Sequence, residues 1–405
     1  MKYDMVKLKE LCTVNQGLQI PISKRFKEPG ENRFFYITVQ FLKESGENYY
    51  IENPPKSVTC TENEILVVRT GNTGQVITGV AGCFHNNFFK VTPNERVFSR
   101  YLYYALNNKK MHDAMLNAAS GTTIPDLKHS SFYDLEIPLP TIDIQKKISK
   151  ILDNICNKLK LNNKINNNLF DLMKRTYIEW FKNYNIPNTR FEFKNSELGR
   201  IPSNWNVKHL KDVFFFQEGP GIRNWQYVEN DGTKFINIRC IKDNDLELET
   251  ANMISNEEAQ GKYKHFMLDE WDVVVSTSGT LGRNQIIRKE HLPLCLNTSV
   301  IRFKPINDFD EYAFMYNYLI SDEFLNLLDV MATGSAQRNF GPMHLNKIDL
   351  VYPSKEIMVK FNNLIFPIIE NIQNNKAENM KLTQLRDTLL PKLMNGEIDL
   401  DNIEI

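Results

Sequence analysis

Short apolar runs bounded by glycine, asparagine and proline come first along this 405-residue chain, helical periodicity follows, and the same succession then begins again. The runs "EILVV" (64–68), "FFKV" (88–91), "VVVS" (273–276) and "SVIRF" (299–303) are rich in Val, Ile and Phe and predict strands. Each set passes into a helical stretch, "SRYLYYALNNKKMHDAMLNAA" (99–119) in one case and "EYAFMYNYLISDEFLNLLDVM" (311–331) in the other. Longer amphipathic helices follow. Steps of four and three from Ile144 reach Ile148, Ile151, Ile155, Lys158, Asn162, Ile165, Leu169, Leu172 and Thr176, apolar at seven of ten places. The same walk from Ile357 reaches Phe361, Leu364, Ile368, Asn371, Asn375, Glu378, Leu382, Leu385 and Leu389, again seven of ten. Both stripes are apolar at their ends and polar in the middle. That shared register predicts a pair of long helices joined as a coiled coil with a wet central layer. A helix of ~35 residues is about 50 Å long and can act as a spacer.

The two halves resemble each other in wording as well as in pattern. "AASGTTIPDLKHSSFYDLEIPLPTIDIQKKI" from Ala118 is echoed by "MATGSAQRNFGPMHLNKIDLVYPSKEIMVKF" from Met331, an offset of 213. "KLKELCTVNQGLQI" from Lys7 is answered by "HLKDVFFFQEGPGI" from His209, an offset of 202, so the second copy carries a net 11 extra residues. A tandem duplication therefore fills the chain. The fold class expected is α+β, or mixed α/β: two globular domains of about 140–150 residues, each followed by a long helix, with the two helices paired as a coiled coil.

Charge changes this picture only locally. The chain has 49 basic and 49 acidic residues, a formal net charge of zero, which argues against nucleic acid if taken alone. Residues 141–190, however, carry 10 basic and 4 acidic groups, whereas 191–353 carry 17 and 23. Phosphate binding follows local potential, so neutrality does not exclude DNA and points to help from a partner. No apolar stretch approaches the ~18 residues of a membrane span, and no apolar segment follows the first charges, so a cytoplasmic protein is expected. The six cysteines form no CxxC pair and read as buried thiols.

Enzymatic signatures are missing. "ENPPK" (52–56) tempts one toward an adenine methyltransferase, but Lys56 stands where an aromatic ring would stack on a flipped base, and no glycine-rich nucleotide fingerprint precedes it. The histidines (His85, His112, His129, His209, His265, His291 and His344) show neither HExxH nor another metal spacing. Binding loops are better supported. "RTGNTG" (69–74) and "STSGTLG" (276–282) each follow a predicted strand, and they nominate Arg69, Thr70, Asn72 and Thr73 in one half and Ser276, Thr277, Ser278, Thr280 and Arg283 in the other. "SKRFK" (23–27) and "GIRNWQY" (221–227) occupy corresponding places and add Lys24, Arg25, Lys27, Arg223, Asn224, Trp225 and Tyr227. These residue types hold phosphate, read base edges or stack on bases. The echoed segments contribute Thr122, Thr123 and Lys128, then Gln337, Arg338 and Asn339. Ile124, Pro125 and Asp126 stand opposite that second trio.

The link "FKNSELGRIPSNWNVKHLKDV" (193–213) and the later "LRDTLLPKLMNGEID" (385–399), in this order with the echoed junctions, resemble the specificity subunits of type I restriction-modification systems along essentially the whole chain. The resemblance implies a non-catalytic, sequence-specific DNA-binding subunit in which residues 1–140 and 185–353 hold target-recognition domains, the latter with a linker. Residues 141–184 and 354–405 then form the spacer helices and tail, the helices being implied as a pair of long antiparallel coiled-coil helices between the domains, with an internal pseudo-twofold. Each domain is expected to read half of a bipartite, gapped site in double-stranded DNA, the halves lying about one turn (~34–36 Å) or a little more apart. The helix-pair interface is expected at Ile144, Ile148, Ile151, Ile155, Leu169, Leu172, Ile357, Phe361, Leu364, Ile368, Leu382, Leu385 and Leu389. The first half lacks the "SELGRIPSNW" lead-in, and the resemblance suggests the tail after Leu390 as its counterpart, closing a circular arrangement. Partners implied are two methyltransferase subunits using S-adenosylmethionine, and restriction-translocase subunits using ATP and Mg, with no cofactor bound by this chain. The alternative is a duplicated protein-interaction scaffold without DNA specificity.

Overall fold

Ile65 and Val67 point into one hydrophobic core and Leu66 and Val68 into another, because successive side chains of a strand face opposite ways. A run of four apolar residues is needed here because both faces are covered. The second half repeats this, with Val273 and Val275 in one cluster and Val274 in another. The computed structural model describes residues 3–43, 47–120, 124–332 and 339–400. They form two units, Met1–Leu159 with Lys381–Ile405, and Lys160–Met380.

In the first unit, strands Cys12–Gln16, Phe88–Pro93, Ile65–Val68 and Val76–Ile77 lie in that order as an antiparallel sheet. A second sheet orders Tyr50–Glu52, Arg33–Ile37, Gly82–Phe84 and Thr59–Cys60, with its central pair parallel. Helices α1 (Ser99–Leu106) and α2 (Lys109–Ala118) place Tyr101, Leu102, Ala105 and Met115 in the cluster that holds Ile65 and Val67. Helix α3 (His129–Tyr133) adds Phe132. A ribbon of Met5–Lys7 with Glu136–Pro138 then closes the domain, and the long helix α4 (Ile142–Phe181) begins. Its first turns bury Ile144, Ile148 and Leu152 in a cluster that also contains Leu393 and Met394.

The second unit repeats the plan. Strands Phe214–Glu218, Val300–Pro305, Val273–Ser276 and Asn284–Ile286 form the antiparallel sheet. Strands Tyr227–Val228, Met253–Ser255, Gly232–Ile236 and Leu294–Leu296 form the other, with Gly232–Ile236 and Leu294–Leu296 parallel. Helix α5 (Asn256–Gln260) belongs to this half; α6 (Tyr312–Leu319), α7 (Asp322–Met331) and α8 (Pro342–Leu345) answer α1, α2 and α3. The ribbon Asn206–His209 with Asp349–Tyr352 precedes helix α9 (Lys355–Asn395). A cation and a carboxylate recur at one register of both sheets. Lys90 Nζ lies 2.8 Å from Glu64, and Arg302 Nη1 lies 3.2 Å from Asp272.

Helices α4 and α9 pack together, and within the second unit their polar middle is an asparagine layer. Asn162 Nδ2 donates to Glu378 at 2.7 Å and to Asn379 at 2.9 Å, and Asn375 Nδ2 donates to Asn166 at 2.8 Å. The contacts run antiparallel. Ile144, Ile148, Ile155, Ile357 and Phe361 are buried as expected, while Ile151, Leu169, Ile368, Leu382 and Leu389 are half-buried. Leu172, Leu364 and Leu385 are corrections to the expected stripe, being 51%, 49% and 46% exposed. The seven-residue walk slides ~20° per heptad around a straight helix. The buried positions of the later part of α4, Asn162, Asn166, Met173, Tyr177 and Trp180, keep the ~3.6-residue period instead.

Candidate nucleic-acid interface

Three chain segments meet at one end of the antiparallel sheet in each half. Gly17 N donates to Phe88 O at 3.0 Å, and Arg69 N to Asn87 O at 2.7 Å. In the second half Gly219 N donates to Val300 O at 3.4 Å, and Thr277 N to Ser299 O at 3.1 Å. A side chain at Gly17 would lie 2.3 Å from the Phe84 carbonyl, and one at Gly219 2.6 Å from the Asn297 backbone. Glycine therefore permits this close approach in both copies.

The glycine-threonine loops occupy this rim and are closed alike. Val68 N donates to Gln75 O, and Gly74 N to Val68 O, both at 2.8 Å; Ser276 N donates to Arg283 O at 2.8 Å, and Gly282 N to Ser276 O at 3.1 Å. Their tips turn at Gly71 and Gly279, with φ of +106° and +70°. Each loop is fastened to the segment leading toward the long helix, through Leu127 N to Arg69 O at 2.9 Å and Phe340 N to Thr277 O at 3.2 Å.

Several nominated side chains serve this fastening rather than the surface. Arg69 donates to both Asp126 oxygens, Thr70 donates to the same carboxylate, and Thr73 donates to Pro125 O at 2.6 Å. The Arg69 guanidinium accordingly holds the Asp126 carboxyl below its usual range. Ser276, Thr277 and Ser278 are buried; Ser276 Oγ donates to Thr280 O at 2.6 Å, and Ser278 forms a bridge with Asn339. Arg283 pairs with Asp243 at 2.8 Å. Asn72, Thr280, Lys128 and Asn339 are exposed on the fastened segments. Thr122, Thr123, Gln337 and Arg338 lie outside the described residues.

The other nominated segments form 3-10 turns, Ile22–Lys24 and Asn224–Gln226. Lys24, Lys27, Arg223, Asn224 and Trp225 are exposed, and Lys27 pairs with Glu47 at 3.0 Å. Arg25 is held inward. It donates to Ile20 O at 2.9 and 2.7 Å and lies over the Tyr36 and Tyr49 rings. Tyr227 is half-buried against Phe235, with centroids 5.2 Å apart.

Sequence reading missed a groove of about 680 Å³ beside the first loop, where Asn72, Gln75, Asn107, Asn108, Lys109 and His112 stand among apolar surface that includes Leu106 and Leu116. The polar cluster "NNKKMH" where α1 gives way to α2 was the available signal, but the two helices first had to be brought beside residues 71–75. Among the described residues the cysteines are free, no His/Cys/Asp/Glu group could hold a metal ion, and no helix is long and apolar enough to cross a membrane.

Two domains of one topology, each carrying a polar loop rim and each followed by a long helix, define a duplicated recognition protein. The family model for the type I restriction modification DNA specificity domain matches residues 1–170 and 202–386, and the chain belongs to that family. It is 27% identical to the type I restriction enzyme MjaIX specificity subunit of Methanocaldococcus jannaschii, over 99% of this chain and 94% of that protein. It is 22% identical to the HindI specificity subunit of Haemophilus influenzae, over 77% of this chain and 80% of that one. The crystal structure of the type I S subunit from M. genitalium has the same fold, with a TM-score of 0.64 at 17% identity over 97% of this chain and 96% of the other. This chain is thus a DNA specificity subunit of a type I restriction-modification system, itself non-catalytic. Membership sets aside the scaffold without DNA specificity.

Proposed function

We propose that each domain reads one half of a bipartite, gapped DNA site and that the packed helices set the distance between the halves. The recognition domains lie within 1–140 and 185–353, and the spacer within 141–184 and 354–405. The observation that carries this reading is the duplicated rim. The same backbone bonds build it twice, yet it presents Asn72, Lys128 and Lys24 in one half and Thr280, Asn339, Arg223, Asn224 and Trp225 in the other. Similar scaffolds with different exposed donors and cations suit two different half-sites. Arg69, Thr73, Ser276, Thr277 and Arg283 support the loops from within.

Chemistry on the DNA then belongs to partners: two methyltransferase subunits that use S-adenosylmethionine, and restriction-translocase subunits that use ATP and Mg. The test is methylation mapping. Purified with its methyltransferase subunits, the chain should direct adenine methylation to one asymmetric bipartite motif, and exchanging residues 1–140 for those of a relative should change one half of it only. A motif unchanged by the exchange, or no bipartite motif, would refute the reading.

A further inference from the structure

Large apolar side chains stand in solvent at the same turn of both domains. Ile22 is 70% exposed and Trp225 is 80% exposed, among the most exposed large apolar side chains of the described residues. The turns correspond through the offset of 202, and their closing bonds correspond too: Lys24 N donates to Pro21 O at 2.9 Å, and Gln226 N to Arg223 O at 2.9 Å. Neither turn is loose. In the first domain Arg25 ties it to Ile20, whose own N donates to the Tyr36 hydroxyl at 3.1 Å. In the second, buried Gln226 donates to Glu258 and to the Tyr263 hydroxyl, both at 2.9 Å, and accepts from Arg223 N at 3.1 Å. The exposed side chains are therefore presented on fastened supports.

Their surroundings specify an occupant. Ser23 and Lys24 are exposed beside Ile22, and Arg223 and Asn224 are exposed beside Trp225. Each turn also springs from the rim that carries the glycine-threonine loop: Leu18 N donates to Phe84 O at 3.0 Å, and Thr298 N to Pro220 O at 3.1 Å. An apolar tip next to a cation and hydrogen-bonding side chains suits a nucleic-acid groove, where phosphate meets the cation and a base step admits the apolar group. Lys24 follows the apolar tip in one turn and Arg223 precedes it in the other, so each tip has an exposed cation two residues away.

We propose that Ile22 and Trp225 are wedges, one per domain, that enter a base step of the bound duplex and partly unstack it. Each half-site is then read by the ease of deforming that step as well as by base-edge contacts. The inference rests on the DNA-reading function proposed above and adds a mechanism to it.

The test uses the chain assembled with its methyltransferase subunits, and duplexes of the mapped site carrying 2-aminopurine at successive positions. One step per half-site should brighten several-fold on binding. Trp225→Ala should abolish the signal in the second half only and Ile22→Ala in the first only, while Trp225→Phe keeps it and shows that the domain is folded. Unchanged fluorescence at every position, with bipartite methylation intact, would overturn the wedge and leave the DNA-reading function standing. Failure of Trp225→Ala to assemble with methyltransferase subunits without DNA would assign the patch to a protein contact and overturn it as well. Absence of bipartite methylation by the unaltered complex would refute both.

Discussion

Arg69 grips Asp126 with a bidentate guanidinium at 2.7–3.0 Å, joining the loop after one strand to the segment that leads to α3 and then α4. The second domain makes the same junction without charge, through Ser278 and Asn339. Asp126→Ala should therefore weaken the first domain alone, by about 2 kcal/mol, since the pair is partly buried and Arg69 and Thr70 both lose their acceptor. Urea denaturation of the variant checks the magnitude. Methylation mapping should also show relaxed choice in one half-site, and equal loss in both halves would contradict this assignment.

The paired junctions explain how much of the protein was legible in its sequence. The duplication, the strands around Ile65–Val68 and Val273–Ser276, and the long helices were readable because each depends on local spacing that the other copy repeats. The roles of Arg69 and Ser276 were not. A polar residue after a strand reads the same whether it faces DNA or a neighbouring segment, and only the pairing of 69–70 with 126–127 decides between them. The helix stripe failed at Leu172 and Leu364 for a different reason. Heptad and straight-helix periods coincide over one or two turns, and the sequence does not say when packing leaves one for the other.

The asparagine layer between α4 and α9 makes a second prediction. Asn375 Nδ2 donates to the buried Asn166 inside a helix pair that could hold leucines. The double variant Asn166→Leu, Asn375→Leu should be more stable, by about 1 kcal/mol, because a partly buried polar pair is replaced by apolar contact. It should also pair less uniquely, since polar core positions fix register. Thermal denaturation should show the gain. Methylation of substrates with altered gaps should show looser tolerance of spacing, and unaltered tolerance would remove the register role.

Arg302 crosses the second sheet where Lys90 crosses the first. It donates to Asp272, to Met267 O at 2.6 Å and to Gln217 at 2.7 Å. Burial outweighs the guanidinium here and holds the Asp272 carboxyl above its usual value. Arg302→Met removes the donor to Met267 O and to His265 O and leaves the Asp272 carboxyl with the Asp269 N–H alone, and should cost about 3 kcal/mol. Arg302→Lys should cost only about 1 kcal/mol, because the first domain uses lysine at this register. Equal losses in equilibrium unfolding would mean that the geometry of the guanidinium, and not its charge, is what the site requires.

Acid should loosen the second domain at His291. Its Nδ1 accepts a hydrogen bond from Arg288 N at 3.1 Å, and its side chain is almost fully enclosed. Burial and the Arg288 guanidinium push its pKa down to about 4, against the opposing pull of Asp245 and Glu290; Lys376 adds a further downward push. An unfolded chain takes up this proton near pH 6.5. Above that value both states are neutral and the stability is fully present. Between about 6.5 and 4 the unfolded state binds a proton that the native state refuses, so stability falls as pH falls, by about 3–4 kcal/mol in all. His291→Gln keeps an acceptor for Arg288 N and cannot be protonated. Urea denaturation at pH 7.5, 6.5, 5.5 and 4.5 should give a shallower decline for the variant than for the unaltered chain, with the curves converging toward low pH. Parallel declines would mean that other groups carry the acid sensitivity.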